Sequence, residues 1–483
     1  MNREYDLEHE IASVLAERAP VRPPEHLLNS VISSARRKRQ VPRWYALLKE
    51  PTMHFDSRLA VGSPTARVAA IMVATLLLAL LTLGAGIAGT RLLAADSAIV
   101  VAQDGSGTVT TITEAVAMAQ DGDTILVRPG TYAEAVIIEQ DVTLMGDGPA
   151  EEIVVEAPED GSTAPTGDLL GARPDASYAL LLQDVDSTVS GITFRGEPSR
   201  VHAKGGSPVL QELIFEGVGQ SYTGRSYVNG GALVSGGTNA TIRDCLFEGG
   251  NGVISYDASE PLVTDNVLTE GANIGGHYGD GAVIRGNQII GGLSDGIGIT
   301  QPTTAVIEGN TISDTPTGIA VGTGGSSYVG VDPIVRANSV SGARTGITVG
   351  SGAAPTIEGN TLVANSDTGI SLSRAGAATV TGNDLTDNDV GIAVFGSDAW
   401  VEGNTVRSGV TGVVISGDAT AALTGNTIEG ATESGLLIRQ QASPTLTDNR
   451  ICDNGTNLVV EEGAEPIMED NDICPDPPVV KED

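Results

Sequence analysis

The chain has few of the residues on which small, cross-linked folds depend. It contains 3 cysteines and few aromatic residues (5 Phe, 2 Trp and 9 Tyr) in 483 residues. So few cysteines exclude a disulfide scaffold, and so few rings require a core of aliphatic side chains. Bases are also scarce, with 27 Lys and Arg against 61 Asp and Glu. The resulting net charge of -34 argues against a nucleic-acid partner, because phosphate binding requires a basic surface.

One long apolar run divides the charge into two unequal parts. Residues 1–67 carry 11 Lys and Arg against 8 Asp and Glu, whereas residues 91–483 carry 16 against 53. Between them, Val68 to Thr90 form 23 residues without a charge. At about 1.5 Å per residue, such a helix crosses a hydrocarbon core of roughly 30 Å with some tilt. The run therefore predicts one transmembrane helix at 68–90, followed by a linker at 91–98.

The flanking bases predict how this helix is oriented. Eight bases precede it from Arg36 onward, and only Arg91 lies close after it. The positive-inside rule then places the N-terminus in the cytoplasm and the acidic part outside the cell membrane. A cleaved secretory signal is the alternative, although its apolar stretch is shorter and begins nearer the N-terminus. Before the run, residues 6–18 and 25–40 predict two short helices, which act either as a partner-binding peptide or as a basic stretch touching anionic lipid.

Beyond the apolar run the chain is repetitive. Asn followed two places later by an apolar residue recurs every 21 to 28 residues, and another apolar residue precedes it by three places. The recurring residues are Asn266, Asn287, Asn310, Asn338, Asn360, Asn383, Asn404, Asn426, Asn449 and Asn471. About eight places later stands Gly with a β-branched run, such as Gly-Ile-Ala-Val from 318. Each period therefore predicts three short strands separated by turns, and no helix.

Two solenoids have a period near 22 residues. A leucine-rich repeat also contains apolar-x-x-Asn-x-apolar, but it requires a Leu-dense strand. The second Gly-led run favours an all-β, right-handed parallel β-helix over 99–475, followed by a tail at 476–483. We expect roughly a dozen coils, each strand hydrogen-bonding to its equivalents about 4.8 Å above and below. The recurring Asn residues are expected to form a ladder of amides and to occupy turns where a left-handed backbone is tolerated.

The start of this region has a recognisable sequence. Val-Ala-Gln-Asp-Gly-Ser-Gly-Thr begins at 101, Asp-Gly-Asp-Thr-Ile-Leu-Val-Arg-Pro-Gly-Thr-Tyr occupies 121–132, and Val-Thr-Leu-Met-Gly-Asp-Gly occupies 142–148. It resembles the start of pectin-lyase-like proteins, which include pectin methylesterases and bacterial proteins built from parallel β-helix repeats. The resemblance implies the same fold for this chain. A short helix at 114–120 is expected to plug the open end of the solenoid.

The catalytic motifs of enzymes with this fold are missing. The chain lacks the Gln-Asp-Thr of pectin methylesterases, the Arg-x-Pro-x-x-Arg of pectate lyases and the Gly-His-Gly of polygalacturonases, and Ser-Asp-Gly-Ile-Gly at 294–298 has a single Asp. Residues 275–280 resemble one calcium-binding nonapeptide, but a calcium roll needs tandem copies, so no metal or cofactor is predicted. We therefore expect a protein that binds carbohydrate or another cell-envelope ligand, or a surface scaffold. A polysaccharide lyase, hydrolase or epimerase is the alternative.

Candidate binding residues lie where the coils are least regular. The longest departure is the insertion at 221–229. It is a candidate because loops on a rigid solenoid are where ligands usually bind. The candidates there and in the next two coils are Tyr222, Arg225, Tyr227, Tyr256, Asp257, His277, Tyr278 and Asp280. Aromatic faces stack on sugars, and charged groups bind hydroxyls or assist proton transfer. The alternative is a set of ordinary exposed residues, with His202 and His277 solvated.

Two of the three cysteines stand in register. Cys452 and Cys474 each follow a recurring Asn by three places and are 22 residues apart, which is one coil. Stacked equivalents have Cα atoms about 4.8 Å apart, within the range of a disulfide. A structural disulfide closing the last coil is therefore predicted for a domain outside the cytoplasm. Cys245 has no such partner and is expected in the core.

Overall fold

The computed structural model describes residues 98–156, 178–195, 201–216, 230–249, 251–323, 329–407 and 409–475. The predicted cytoplasmic helices, transmembrane run, most of the linker and the C-terminal tail lie outside these residues. In the part that is described, no helix has the length and apolar character needed to cross a bilayer. The description below concerns the second of two units into which the chain divides, Arg91–Asp483.

Three parallel sheets run along this unit, and each coil contributes one short strand to each sheet. Sheet A has 16 strands, sheet B has 15 and sheet C has 14. Sheet A contains Ile99–Val101, Thr124–Val127, Thr143–Gly146, Thr188–Ser190, Val209–Gln211, Thr241–Arg243, Leu262–Thr264, Val283–Arg285, Val306–Glu308, Ile334–Arg336, Thr356–Glu358, Thr379–Thr381, Trp400–Glu402, Ala422–Thr424, Thr445–Thr447 and Ile467–Glu469.

The other two sheets follow the same order. Sheet B contains Gly130–Ala133, Ile153–Glu156, Thr193–Arg195, Ile214–Glu216, Leu246–Glu248, Val267–Thr269, Gln288–Ile290, Thr311–Ser313, Ser339–Ser341, Thr361–Val363, Asp384–Thr386, Thr405–Arg407, Thr427–Glu429, Arg450–Ile451 and Asp472–Ile473. Sheet C contains Val136–Ile138, Leu180–Gln183, Val201–Lys204, Gly230–Ser235, Asn251–Ser259, Ile274–Tyr278, Asp295–Ile299, Thr317–Val321, Thr345–Val349, Thr368–Ser373, Val390–Phe395, Thr411–Ser416, Ser434–Ile438 and Thr456–Val460. A 3-10 turn covers Ala150–Glu152.

Every strand pairs in parallel with its equivalents in the coils before and after. Ile307, for example, lies opposite Ile284 on one side and Val335 on the other. The predicted architecture is therefore confirmed, but it has about fifteen coils rather than a dozen. The prediction was too low because residues 98–156 form coils of the same solenoid without the recurring Asn that was used for counting.

The core between the sheets is narrow and aliphatic. One continuous cluster of buried Ile, Val, Leu and Ala runs from Ile99 to Ile451. Phe194, Phe215 and Phe247 stack within it on successive coils, with ring centroids 5.6 and 4.6 Å apart. The interior is narrow, and each inward side chain stacks on its equivalent in the next coil. This explains why the chain has few aromatic residues.

A short helix covers the first coils, as the sequence predicts. It spans Ile112–Met118 and begins two residues earlier than expected, with the Thr111 side chain accepting a hydrogen bond from the Glu114 N–H. The Glu134 carboxylate accepts from the Ile112 and Thr113 N–H groups at 2.9 and 2.8 Å, which satisfies donors that a helix start leaves free. Ile112, Ala115 and Val116 on its inner face are buried, so the helix closes the interior.

The recurring Asn residues form the expected ladder. Each Asn from 266 to 449 donates from Nδ2 to the Oδ1 of the next at 2.9–3.0 Å. Their backbone position differs from the prediction, because the left-handed conformation belongs to the residue just before each one, such as Asp265, Gly309 or Ala337. The Asn is therefore buried for its amide, and the tight turn is made by its predecessor.

The cysteines occupy the predicted places. Cys452 and Cys474 are joined by a disulfide between adjacent coils, with Cα atoms 4.9 Å apart. Cys245 is free and buried, and burial raises the pKa of its thiol to about 12. A thiol with that pKa stays protonated and packs as a small apolar group.

Candidate functional site

The outward face of sheet C carries a second buried cluster in its early coils. Leu180 and Leu182 point into the main core, whereas Leu181 between them belongs to a separate cluster with Tyr178, Leu233 and Ile254. Strand residues alternate between faces, so this cluster lies on the outer side of the sheet. Sheet C is thus the face on which the early coils depart from the simple pattern of an aliphatic inside and a polar outside.

His202 lies in this outer cluster and is buried. Its Nε2 is 2.7 Å from the Ser235 Oγ, and its ring centroid is 4.9 Å from that of Tyr178. The interpretation of His202 as a solvated residue is therefore wrong. It fails because the sequence shows the alternation of the strand but not that its outer side is covered here as well.

Two of the predicted site residues, Tyr256 and His277, meet further along the same face. Their rings are 5.5 Å apart, with the planes at 80° in an edge-on arrangement, and both side chains are half-buried. Burial lowers the pKa of His277, and the neighbouring Asp257 carboxylate partly opposes this shift. The imidazole is therefore neutral at neutral pH and presents one nitrogen that donates and one that accepts. Asp257 itself is exposed, and its carboxylate accepts from the Gly236 N–H at 3.4 Å.

The remaining candidates do not join this pair. Tyr278 is fully buried in the main core, and its hydroxyl donates to the Gly275 carbonyl at 3.1 Å, so it is a core residue rather than a binding residue. Burial raises the pKa of its phenol. Asp280 is exposed and accepts from the Thr304 N–H at 2.8 Å, which ties two coils together. Tyr222, Arg225 and Tyr227 lie outside the described residues.

Next to His277 the outward row of sheet C loses its side chains. In register, the row continues from Ile254 to Gly275, Gly298 and Ala320. Among the described residues, the atom nearest to a Cβ placed on Gly275 is the Gly298 carbonyl oxygen, at 3.8 Å, and the atom nearest to one on Gly298 is the Asp295 Oδ2, at 3.7 Å. The two glycines therefore leave a notch of bare backbone between Ile254 and Ala320, which we call the glycine notch.

Asp295 borders the glycine notch and was not selected from the sequence. Its carboxylate lies over Gly298 and is half-buried. Burial raises its pKa, and a hydrogen bond from the Thr317 hydroxyl opposes the shift. The sequence does contain a signal for Asp295. The equivalent residues of the next two coils are Thr317 and Thr345, so an acid at this position breaks the repeat.

The glycine notch lies between His277 and Asp295. His277 stands two residues after Gly275, and Gly298 lies on the adjacent coil. A strand spacing of about 4.8 Å and a rise of about 3.3 Å per residue put the Cα atoms of His277 and Gly298 about 8 Å apart. The Tyr256 and His277 rings thus lie on one side of the notch and the Asp295 carboxyl on the other. The base of the notch is the backbone of Gly275 and Gly298.

One group of side chains elsewhere has metal-ligand chemistry. Ligand atoms of Cys452, Asp472 and Cys474 lie within 4.8 Å of one another. Because the two sulfurs are bonded to each other, they do not offer the thiolates that a soft metal requires. The donor set in this state consists of one carboxylate, so it does not fit a metal ion.

Three family models match consecutive parts of the chain. Residues 98–167 match the pectinesterase model, residues 178–332 the right-handed β-helix region, and residues 328–474 the periplasmic copper-binding protein NosD. No curated protein matches. The opening resemblance to pectin methylesterases thus has a counterpart in the first of these matches.

Several solved structures are similar at low identity. The periplasmic alginate epimerase AlgG shares 14% identity at a TM-score of 0.45, covering 73% of this chain and 77% of that one. The GH136 lacto-N-biosidase of Eubacterium ramulus shares 14% at 0.45, covering 77% and 67%. The Azotobacter vinelandii mannuronan C-5 epimerase AlgE4 A-module shares 13% at 0.39, covering 74% and 92%. At these values we transfer no residue role from them. The parallel sheets and the family match over 178–332 together make this unit a right-handed parallel β-helix.

Proposed function

We propose that this protein is a membrane-anchored β-helix that binds a neutral carbohydrate in the glycine notch on sheet C. The observation that carries the proposal is the notch itself, in which Gly275 and Gly298 expose backbone between the Tyr256–His277 pair and Asp295. Elsewhere along this row, residues such as Ala320 and Thr348 carry side chains. A gap in the side chains at the point where aromatic and titratable residues gather favours a ligand over a purely structural role.

The chemistry of the walls fits a sugar. Tyr256 offers an apolar ring face with a polar tip, which suits the mixed surface of a pyranose. Neutral His277 both donates and accepts hydrogen bonds, which suits the hydroxyls of a sugar. Hydrogen bonds of this kind orient a ligand within a mainly apolar pocket.

The charge of the unit indicates which sugars fit. Residues 91–483 carry 53 acids and 16 bases, and Asp295 and Asp257 lie at the site. A uronate polymer would meet like charge along the whole solenoid, which disfavours its approach. We therefore expect neutral glycans to bind more tightly than uronates.

Affinity electrophoresis of the detergent-solubilised full chain against neutral and uronate polysaccharides tests this function. We expect retardation by a neutral polymer and about tenfold weaker binding for Tyr256→Ala, since a lost aromatic contact of about 1.4 kcal/mol corresponds to that factor. Gly275→Leu, which fills the notch, should weaken retardation by at least the same factor. The control Ser371→Leu places a leucine in the same outward row of sheet C, three coils beyond Gly298, and should leave binding unchanged. Equal binding by all four proteins would refute the site.

A second candidate function is modification of the bound sugar by acid–base chemistry. The observation that favours it is the pair His277 and Asp295, in which burial lowers the pKa of the base and raises that of the acid. At neutral pH the imidazole is therefore free to accept a proton, and the carboxyl keeps its proton to a higher pH than an exposed Asp does, which suits opposite roles in proton transfer. Incubation of polysaccharides with the protein should then give shortened, unsaturated or epimerised products, and His277→Gln should remove them. Intact polymer after prolonged incubation would leave binding as the function.

The membrane anchor is part of the proposal. It is supported by the uncharged run 68–90, the bases before it and a disulfide that suits an oxidising compartment. After cell fractionation the full chain should sediment with membranes and resist alkaline extraction, and a deletion of 68–90 should release it. A mature protein found in the medium without residues 1–95 would overturn the anchor.

A further inference from the structure

Sheet A carries an exposed indole that the glycine notch does not use. Trp400 begins the strand Trp400–Glu402, and 52% of its surface is exposed. It is the only Trp after the apolar run, since the other is Trp44. It is the one large side chain in this part of the outward row, because the positions on either side are filled by Thr and Ala.

The neighbours of Trp400 leave its ring uncovered. Thr379 and Ala422 lie opposite it on the coils before and after, and Thr356 and Thr445 follow one coil further on each side. All four side chains are short, so they form a flat surface about 19 Å long at roughly 4.8 Å per coil, with the indole in its centre. No other ring packs against Trp400 among the residues that are described.

The indole is also held in one orientation. Its Nε1 donates to the Glu402 Oε2 at 3.2 Å, two residues along the same strand. The polar edge of the ring is thus satisfied by the protein, and the apolar face is what remains for a ligand.

Phe395 provides the contrast within the same coil. It ends the preceding strand of sheet C, and the Arg374 guanidinium lies over its ring at 5.3 Å. On the next coil Gly417 has no room for a Cβ, because the Phe395 ring occupies that space. Phe395 therefore has partners within the protein, whereas within the described part of the chain the Trp400 ring has the hydrogen bond to Glu402 and no ring or cation contact.

We propose that Trp400, with Thr379 and Ala422 beside it, forms a second carbohydrate platform for an extended, neutral polysaccharide. The C–H face of a sugar ring stacks on the indole, and the hydroxyls at its edge meet Thr381, Glu402 and Thr424, which lie in register along the platform. Glu402 and the acid excess of the unit exclude a polyanion. The proposal shares only its ligand class with the proposed function.

The two sites are separate in space. Trp400 is six coils beyond the strand Leu262–Thr264 in sheet A, which belongs to the coil that contains His277. At about 4.8 Å per coil the separation along the axis is about 29 Å. The sites also lie on different sheets, so a change in one leaves the contacts of the other intact.

Fluorescence of Trp400 tests the platform directly. In the full chain carrying Trp44→Phe, Trp400 is the only indole, and a detergent without a sugar head group avoids competition. Titration with a soluble neutral β-glucan such as hydroxyethylcellulose should shift its emission to shorter wavelength, because stacking removes water from the ring. Trp400→Thr introduces the residue that stands at the equivalent positions 356, 379 and 445. This variant should weaken retardation by the polymer about tenfold or more without changing the thermal midpoint.

Matched variants distinguish this proposal from the glycine notch. Gly275→Leu should leave the Trp400 emission shift unchanged, and Trp400→Phe should retain part of the affinity because it keeps an aromatic face. An unchanged emission spectrum with every neutral polymer, or equal retardation of Trp400→Thr and the unmodified chain, would overturn the platform. If the Trp400 shift persists while Gly275→Leu and Ser371→Leu bind equally, the notch fails and the platform stands.

Discussion

The early and late coils of the solenoid use the same backbone for different purposes. From about residue 301 onward the outward row of sheet C carries Ala, Thr, Ser, Val or Leu, and the position before the Gly-led run is mostly a nearly buried Thr. Between 178 and 300 the same positions hold His202, Gly275, Gly298 and Asp295. The parallel pairing of strands continues through both parts, with one register shift between Ser255 and Ser259. Chemistry is therefore introduced by substitution at repeat positions, without a change of fold.

The late coils depend on the Asn ladder, and breaking it should have the largest effect on stability. The Asn383 side chain accepts from the Asn360 N–H and Nδ2 and donates to Asn404 Oδ1 and the Ile357 carbonyl, all at 2.9–3.0 Å. Asn383→Ala leaves these buried partners unsatisfied, and we expect a loss of about 3–5 kcal/mol in urea unfolding. Asn239→Ala, at an exposed Asn, should cost no more than about 0.5 kcal/mol. Similar values for the two variants would show that the ladder contributes little.

The ladder also shows what the sequence predicts well. A residue that recurs every 21 to 28 positions reveals the coil, the strands that flank it and the disulfide register of Cys452 and Cys474. These features are local and repeated ten times, so each copy supports the same interpretation. A second row of buried Asn, five places after Asn360, Asn383 and Asn449, is missed because Gly409 and Ala431 interrupt it, so that in the described coils only Asn365 and Asn388 lie on adjacent coils and pair.

The candidate site is predicted less completely, for a physical reason. Tyr256 and His277 are conspicuous residue types in irregular coils, and the same criterion selects Tyr278, which points inward. Alternation along a strand decides which neighbour faces outward, and a register shift between Ser255 and Ser259 obscures it. The floor of the notch consists of glycines, which carry no chemical signal, so only the paired strands reveal that Gly275 and Gly298 are adjacent.

The two ends of the solenoid give a second comparison. A helix covers the first coils, whereas the last coils are held by the Cys452–Cys474 bond. Closing a loop of 22 residues stabilises the folded state by about 3 kcal/mol. Cys474→Ser, or reduction, should therefore lower the protection of 456–473 in hydrogen exchange and leave Ile112–Met118 unchanged. Both thiols found free by mass spectrometry in protein from native membranes would contradict the bond.

Glycines distinguish two positions within the coil, because early Gly252 and Gly296 are crowded in the same way as late Gly346, whereas outward Gly275 is open. A Cβ on Gly346 would lie 2.5 Å from Leu362 Cδ2 and 2.6 Å from the Gly369 carbonyl, whereas one on Gly275 has its nearest neighbour at 3.8 Å. Gly346→Ala should therefore cost about 1–3 kcal/mol through overpacking, and Gly275→Ala should be nearly neutral. Thermal midpoints of the two variants measure this. Equal destabilisation would mean that the notch is a structural element rather than an open floor.

The smallest expected effect concerns protonation at the notch. Burial lowers the pKa of His277 below the ordinary value of 6.5, although Asp257 opposes the shift. The unfolded chain then binds this proton more readily than the folded one, so the contribution of His277 to stability is present above pH 6.5 and is lost as the pH falls through its ordinary value. In the late coils the outward row contains no histidine among the described residues, so this dependence belongs to the early coils.

A pH series of thermal midpoints, with the His277→Gln variant as control, checks the sign. The midpoint of the unmodified chain should fall more steeply below pH 6.5 than that of the variant, by a small amount because the ring is only half-buried. An NMR titration of the His277 ring should give the same direction. If ligand is bound in the notch, Tyr256 and the sugar remove more water from the imidazole, so its pKa should fall further and the difference between the two proteins should increase. If the pKa of His277 instead rises when a neutral glycan is added, the sugar does not cover His277. The histidine would then not be part of a binding site in the glycine notch.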